Sequence, residues 1–297
     1  MQELTVLNAS CRSPRLGGGS APLPSSRLDR STFLDRFLSH QPSERRISVR
    51  HYKKAGVIQV GWGVYKPEQK KQGYKEVSSE EALANQKRAT LRACAYLRRD
   101  LLSIAADHML TLTYRENMQD RKRALTHLGR FVRVMRKRFK HWASISVMEY
   151  QKRGAIHFHI GVSGFYDVRI LRSEWLEIVG QSNGNVDAMH VTFSPDGRGN
   201  PYTKLATYMG KYLGKDLDQG RKPGEHRYFR SQSIERPKEV YYIPATAPTG
   251  MEERLSFEII QTCLGHFKGL SGFWCAPPGV GASGFMCAER NNEHGGH

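Results

Sequence analysis

The chain has 297 residues, which is long enough to bury a full hydrophobic core in one extended domain or in two small ones. Its five cysteines are an odd, scattered set, and neither a secretory signal nor a run of about 18 apolar residues is visible, so we expect a soluble cytoplasmic protein that does not associate with membranes. The formal net charge of +18, from 46 Lys and Arg against 28 Asp and Glu, favours a polyanionic partner.

The N-terminal part of the chain divides into two segments of different character. Residues 1–46 are rich in Ser, Pro, Gly and Arg, which predicts a flexible basic arm. Residues 47–106 are predicted to form a β-hairpin and then a long helix, which begins with a capping box at Ser78. Trp62 and Tyr65 of the hairpin can serve base stacking or ordinary packing; packing is favoured because aromatic residues are used mostly in cores.

Residues 107–240 contain a compact series of elements that we predict in the order β-α-β-β-α-β. Their apolar periodicity places them at 109–114, 120–140, 144–150, 155–162, 168–179 and 185–193. This is the split βαβ arrangement of an α+β fold, in which both helices cover one face of an antiparallel sheet and leave the other face free. The first helix carries basic residues away from its apolar stripe, where they can meet solvent or phosphate: Arg130, Arg133, Lys137 and Lys140.

A candidate metal site lies on the hairpin in the middle of this series. His157 and His159 point to the same side of a short strand, since side chains alternate along it. A three-residue loop with Gly154 in the left-handed position places Glu149 directly opposite His157, so the three side chains form a Glu/His/His set suited to a divalent cation. The alternative is a pair of partly buried, hydrogen-bonded histidines without a metal, because one H-x-H is a weak motif.

The segment after Pro201 is predicted to form a helix that covers the free face of the sheet. Tyr208 and Tyr212 are four residues apart and share a face, and Lys211 and Lys215 form a parallel stripe beside them. Such a stripe alone is more often an amphipathic packing surface. Two glycines interrupt the helix and are expected to allow close approach of the sheet or of a DNA backbone: Gly210 and Gly214.

Residues 241–297 are predicted to be a C-terminal extension with a Gly-rich tail. Within it, residues 271–276 are echoed by 283–288. The cysteines of this segment (Cys263, Cys275 and Cys287) could ligate zinc with His266, but no C-x-x-C pair is present and a flexible tail is favoured.

Taken together, three of these motifs resemble those of the HUH superfamily of DNA-nicking proteins, in particular the rolling-circle replication initiators of single-stranded DNA phages and plasmids. Residues 110–114 are similar to the first-strand motif, and His157-Phe158-His159 to the metal-binding motif. The two Tyr-x-x-Lys quartets that Tyr208 and Tyr212 begin resemble the nucleophile motif of initiators with two active tyrosines. Their order on one scaffold is stronger evidence than any motif alone.

The resemblance implies a specific chemistry for these residues. Mg²⁺ or Mn²⁺ on Glu149, His157 and His159 would stabilise charge on the scissile phosphate, and Tyr208 or Tyr212 would attack it. The products would be a 5′-phosphotyrosine link and a free 3′-OH, while Lys211 and Lys215 would neutralise phosphate charge. Implied partners are single-stranded origin DNA and the host replication machinery in the bacterial cytoplasm, including a host helicase, because no G-x-x-x-x-G-K-[ST] stretch is present.

Two alternative functions remain open from the sequence. An HUH transposase or relaxase would use the same chemistry for DNA mobility or conjugation. A non-catalytic RNA- or single-stranded-DNA-binding module would share the sheet but would carry aromatic residues on its central strands. Histidines occupy the corresponding strand here, and Phe158 points to the opposite side, which disfavours the binding module.

Overall fold

The computed structural model of the protein describes residues 45–64, 78–191, 200–215, 226, 228–244, 246–248, 250–265, 267, 269–275 and 283–290. The predicted basic arm lies outside the described residues except for Arg45 and Arg46, which begin the first strand. Among the described residues, none of the helices is both long enough and apolar enough to cross a membrane.

The predicted hairpin and long helix are both present. Strands β1 (Arg45–Tyr52) and β2 (Val57–Val64) pair antiparallel across a tight turn. Helix α1 (Ser79–Ser103) begins where the capping box predicts, because the Ser78 hydroxyl accepts a hydrogen bond from the Glu81 amide at 3.2 Å.

The split βαβ arrangement is confirmed. Its elements are β3 (His108–Tyr114), α2 (Arg121–Arg138), β4 (Ser144–Tyr150), β5 (Ile156–Val162), α3 (Val168–Val179) and β6 (Gly184–His190). With the short β7 (Phe229–Arg230), the strands form an antiparallel sheet in the order β6-β3-β5-β4-β7, which we call the central sheet. Side chains of α2 and α3, including Phe131 and Trp175, are fully buried on one face of it.

The other face of the central sheet is covered by two helices. Helix α4 (Pro201–Lys215) lies on this face, as predicted, and contributes Leu205 and Met209 to a shared core. Helix α1 packs beside it through Leu97 and Leu101, a position that its sequence did not indicate. The face that carries the histidines is therefore enclosed between a sheet and two helices.

Gly161 is the point of closest approach between the central sheet and these helices. A Cβ atom there would collide with Leu101 Cδ2 and would lie 2.9 Å from Met209 Sδ, so any side chain would push both helices outward. We expect Gly161→Val to destabilise the fold by about 1–3 kcal/mol, the usual cost of overpacking a core.

Urea unfolding tests this expectation, with Gly129→Ala as the matched control. Gly129 lies in α2, and a Cβ atom added there would have no neighbour within 4 Å, so alanine should be neutral or stabilising. Equal unfolding midpoints for Gly161→Val and the wild type would show that the helices do not pack this closely.

A second antiparallel sheet joins the two ends of the described chain. Its further elements are β8 (Glu239–Ile243), α5 (Met251–Leu264), β9 (Leu270–Cys275) and β10 (Gly284–Glu289). The strand order is β8-β1-β2-β10-β9, and α5 packs on this terminal sheet through Leu255 and Ile259. Strands from the predicted segments 47–106 and 241–297 thus share one core.

The prediction of a flexible Gly-rich tail is wrong for the described part of that tail. The two near-repeats are β9 and β10, which pair antiparallel, and β10 also pairs with β2. Alternate residues of β10 are buried, so the repeated sequence follows the two-residue period of a strand despite its glycines. Gly284 lies against the ring of Trp62, which is buried: packing, not base stacking, is the role of this tryptophan. Tyr65 and His266 lie outside the described residues.

Candidate metal centre and tyrosine helix

The β4–β5 hairpin brings the three predicted metal ligands together. Gly154 takes a φ of 85° in the loop, and the register pairs Glu149 with His157, as predicted. His159 is two residues further along β5 and lies on the same face. One potential ligand atom from each of the three residues lies within 4.8 Å of those of the others. Glu149 Oε2 is 2.9 Å from His159 Nε2 and 3.6 Å from His157 Nε2.

Thr111 of β3 orients the more buried histidine. Its hydroxyl lies 3.3 Å from His159 Nδ1, on the side of the ring away from Glu149. If Nδ1–H donates to this hydroxyl, Nε2 is left as the nitrogen that can bind a metal, which is the usual arrangement around a histidine ligand. Thr111 lies in the first-strand motif, but no role was predicted for it. Strand alternation across to β5 was the available signal.

The donor set fits a divalent cation. Two imidazoles and a carboxylate converge at one point on a mostly buried face, and this combination of nitrogen and oxygen ligands suits a divalent ion. The alternative of a hydrogen-bonded histidine pair accounts for the His159–Glu149 contact but not for the convergence of both Nε2 atoms on one carboxylate oxygen.

Helix α4 places both predicted tyrosines at this cluster but in different environments. The Tyr212 ring stacks on His159 with a centroid separation of 3.9 Å and an interplanar angle of 12°. Tyr208 meets Tyr212 edge-on at 5.3 Å. Tyr212 is 8% exposed, whereas Tyr208 is 40% exposed, so the two rings are an inner and an outer tyrosine.

The inner tyrosine is held in its neutral form. Burial raises the pKa of Tyr212 well above its ordinary value, and a hydrogen bond with Tyr208 adds to the rise. A buried phenol of this kind needs nearby positive charge before it can act as a nucleophile.

A groove of about 680 Å³ leads from solvent to the outer tyrosine. It lies between α4 and the end of β6, and its lining includes Lys204, Thr207, Tyr208 and Lys211. Lys211 was predicted; Lys204 was not, although it precedes Lys211 by two helical turns and so shares its face. The side chain of Lys215 lies outside the described residues.

The glycines of α4 have a more local role than predicted. Gly210 faces α1, where its carbonyl accepts a weak hydrogen bond from Cys94 Sγ at 3.5 Å. A Cβ at this position would lie 3.5 Å from Arg98 Nε, an ordinary contact. Gly210 therefore faces a helix and not the sheet, and the side-chain position of Gly214 lies outside the description.

Glu149→Gln tests the third ligand. The substitution keeps the size of the side chain and a hydrogen-bonding oxygen but removes the charge, so we expect Mn²⁺ binding at this site to weaken by about 10–100-fold. Isothermal titration of the variant against the wild type measures the change. Unchanged affinity would show that another residue supplies the third ligand.

Comparison with known proteins gives one finding for the central sheet and α4. Residues 107–217 match the family model of the replication-associated protein ORF2. The match covers a little over a third of the chain, and it includes all three motifs and every predicted site residue. This similarity supports a replication initiator. Searches of curated proteins and of solved structures gave no significant match.

Proposed function

We propose that the protein is a metal-dependent, site-specific endonuclease and strand-transferase that nicks single-stranded origin DNA and starts rolling-circle replication. The observation that carries this proposal is the contact between the two parts of the site: the Tyr212 ring stacks on His159, one of the three candidate metal ligands. A nucleophile and an electrophilic centre must lie within a few ångströms for an in-line attack.

The site would use its own residues as follows. Glu149, His157 and His159 would hold Mg²⁺ or Mn²⁺, which when bound supplies positive charge next to a non-bridging oxygen of the scissile phosphate. A tyrosine oxygen would form a bond to phosphorus as the bond to the 3′ oxygen breaks. The 5′ end would then be linked to the tyrosine, and the free 3′-OH could prime synthesis by the host machinery.

The lysines of α4 would position the DNA. Lys211 is exposed and lines the groove at the outer tyrosine, where its ammonium group can neutralise a phosphate beside the one that is cut. Lys215 follows Tyr212 at the same spacing and is proposed to act in the same way. Exposed arginines and lysines of α2, among them Arg133 and Lys137, add a basic surface on the opposite layer.

The two alternatives are less well supported. A non-catalytic binding module of this fold would use the open sheet face for base stacking, but α1 and α4 cover that face here. A transposase or relaxase would share the nicking chemistry, and the family match favours replication over mobility.

A pool of random single-stranded oligonucleotides tests the proposal without knowledge of the origin. We expect covalent protein–DNA adducts on denaturing gels in Mn²⁺ and none in EDTA, with a common sequence at the 5′ end of the captured fragments. If neither the pool nor circular single-stranded DNA gives an adduct in any divalent cation, the protein is not a nicking enzyme.

A further inference from the structure

A second cluster of metal-binding side chains lies at one end of the central sheet. Asp107 immediately precedes β3, His108 is the first residue of that strand, and His190 is the last residue of β6. The register pairs His108 with His190, and their rings stack with a centroid separation of 4.4 Å. One potential ligand atom from each of the three residues lies within 4.8 Å of those of the others.

The carboxylate of this cluster is held in place by the backbone. Asp107 Oδ1 accepts a hydrogen bond from the Gly164 amide at 2.8 Å and lies 2.8 Å from His108 Nδ1. Within the described ranges, no Lys or Arg forms an ion pair with Asp107 in this strongly basic protein. A backbone amide that fixes the orientation of a ligand carboxylate is a common outer partner of metal sites.

The cluster is separate from the Glu149 site. His108 and His190 share the sheet face of Leu110 and Ala188, which is the face covered by α2 and α3, whereas Glu149 faces α4. Three strand residues separate His108 from Thr111, which contacts the first site, a distance of about 10 Å along the strand.

We propose that Asp107, His108 and His190 form a second site for a divalent transition-metal ion of the zinc type. Two imidazoles and one carboxylate are a typical three-residue ligand set for such an ion, and the remaining position is then filled by water or another small ligand. His190 is exposed and also lines the groove beside Tyr208, so an ion at this site is reachable from solvent. This inference does not depend on the proposed nicking activity.

Co²⁺ is the probe for this site, because its visible absorption reports protein ligands directly. Equilibrium dialysis of the full chain should give two bound Co²⁺ per molecule. The Asp107→Asn/His190→Ala variant should keep one, and Asp107→Asn alone should weaken that site by about 10–100-fold. Both substitutions are mild: asparagine can still accept the Gly164 hydrogen bond, and His190 is exposed at a strand end. Thermal melting checks that the variants are folded.

Two further variants separate this site from the first. His157→Ala/His159→Ala should also keep one Co²⁺, which Asp107→Asn/His190→Ala in the same chain should then remove. His141→Ala, at an exposed histidine outside both clusters, should keep two. If the wild type binds one ion and loses it only with Asp107 and His190 changed, the second site stands and the first does not. The second site is refuted if Asp107→Asn/His190→Ala binds as much Co²⁺ as the wild type.

Discussion

The His157→Ala/His159→Ala variant is expected to lose cleavage of single-stranded origin DNA by about 10³-fold or more. A metal that stabilises charge on a phosphate contributes several kcal/mol to the barrier, and about 4 kcal/mol corresponds to about 10³ in rate. DNA affinity should change little, because binding rests on a basic surface that extends well beyond the site, including the exposed cations of α2. Single-turnover cleavage and filter binding on the same oligonucleotide measure the two effects.

The structure requires one control for this experiment. His159 is 5% exposed and packs against Tyr212, so alanine there also leaves a cavity that can disturb α4. His157→Ala alone removes a less buried ligand and should still abolish most cleavage, with a melting temperature near that of the wild type. Wild-type nicking by the double variant in Mn²⁺ would remove the metal site from the mechanism.

The Tyr208→Phe/Tyr212→Phe variant is expected to leave no cleavage, while each single variant leaves some single-turnover cleavage. Phenylalanine keeps the ring that stacks on His159 and removes only the hydroxyl, so the packing of α4 should persist. One cut needs one attack, whereas a full replication round needs a second tyrosine to break the regenerated junction. Release of circles should therefore suffer in both single variants.

Tyr202→Phe is the matched control for the tyrosine variants. Tyr202 lies in the first turn of the same helix but packs against the cluster around Tyr52, away from the candidate ligands. Its variant should cleave and release circles as the wild type does. Cleavage by the double tyrosine variant at the Tyr202→Phe rate would exclude both residues as nucleophiles.

The local features of the site were predictable from the sequence. The position of Gly154 determined the hairpin register, and the register together with strand alternation placed Glu149, His157 and His159 on one face. Helical spacing placed Tyr208 and Tyr212 on one face of α4. These patterns depend on residues within a few positions of each other, which is why they can be read without a structure.

The long-range features were not predictable in this way. The terminal sheet pairs β2 with β10, more than 200 residues apart, and the glycines of β9 and β10 concealed their alternation. The pairing of His108 with His190 depends on the register between β3 and β6, which no single turn determines. Spacing also could not show that Tyr212 is the inner ring and Tyr208 the outer one, because that depends on how α4 lies on the sheet.

Peptide mapping of the covalent adduct tests the nicking mechanism most directly. The protein is incubated with a cleaved oligonucleotide in Mn²⁺, digested with trypsin and nuclease, and the modified residue is located by mass spectrometry. We expect a nucleotide attached through phosphate to Tyr208 in some molecules and to Tyr212 in others, and no adduct in EDTA. Modification at only one of them would leave a one-tyrosine initiator, and an adduct at any other residue, or none at all, would contradict the assignment of α4 as the nucleophile helix.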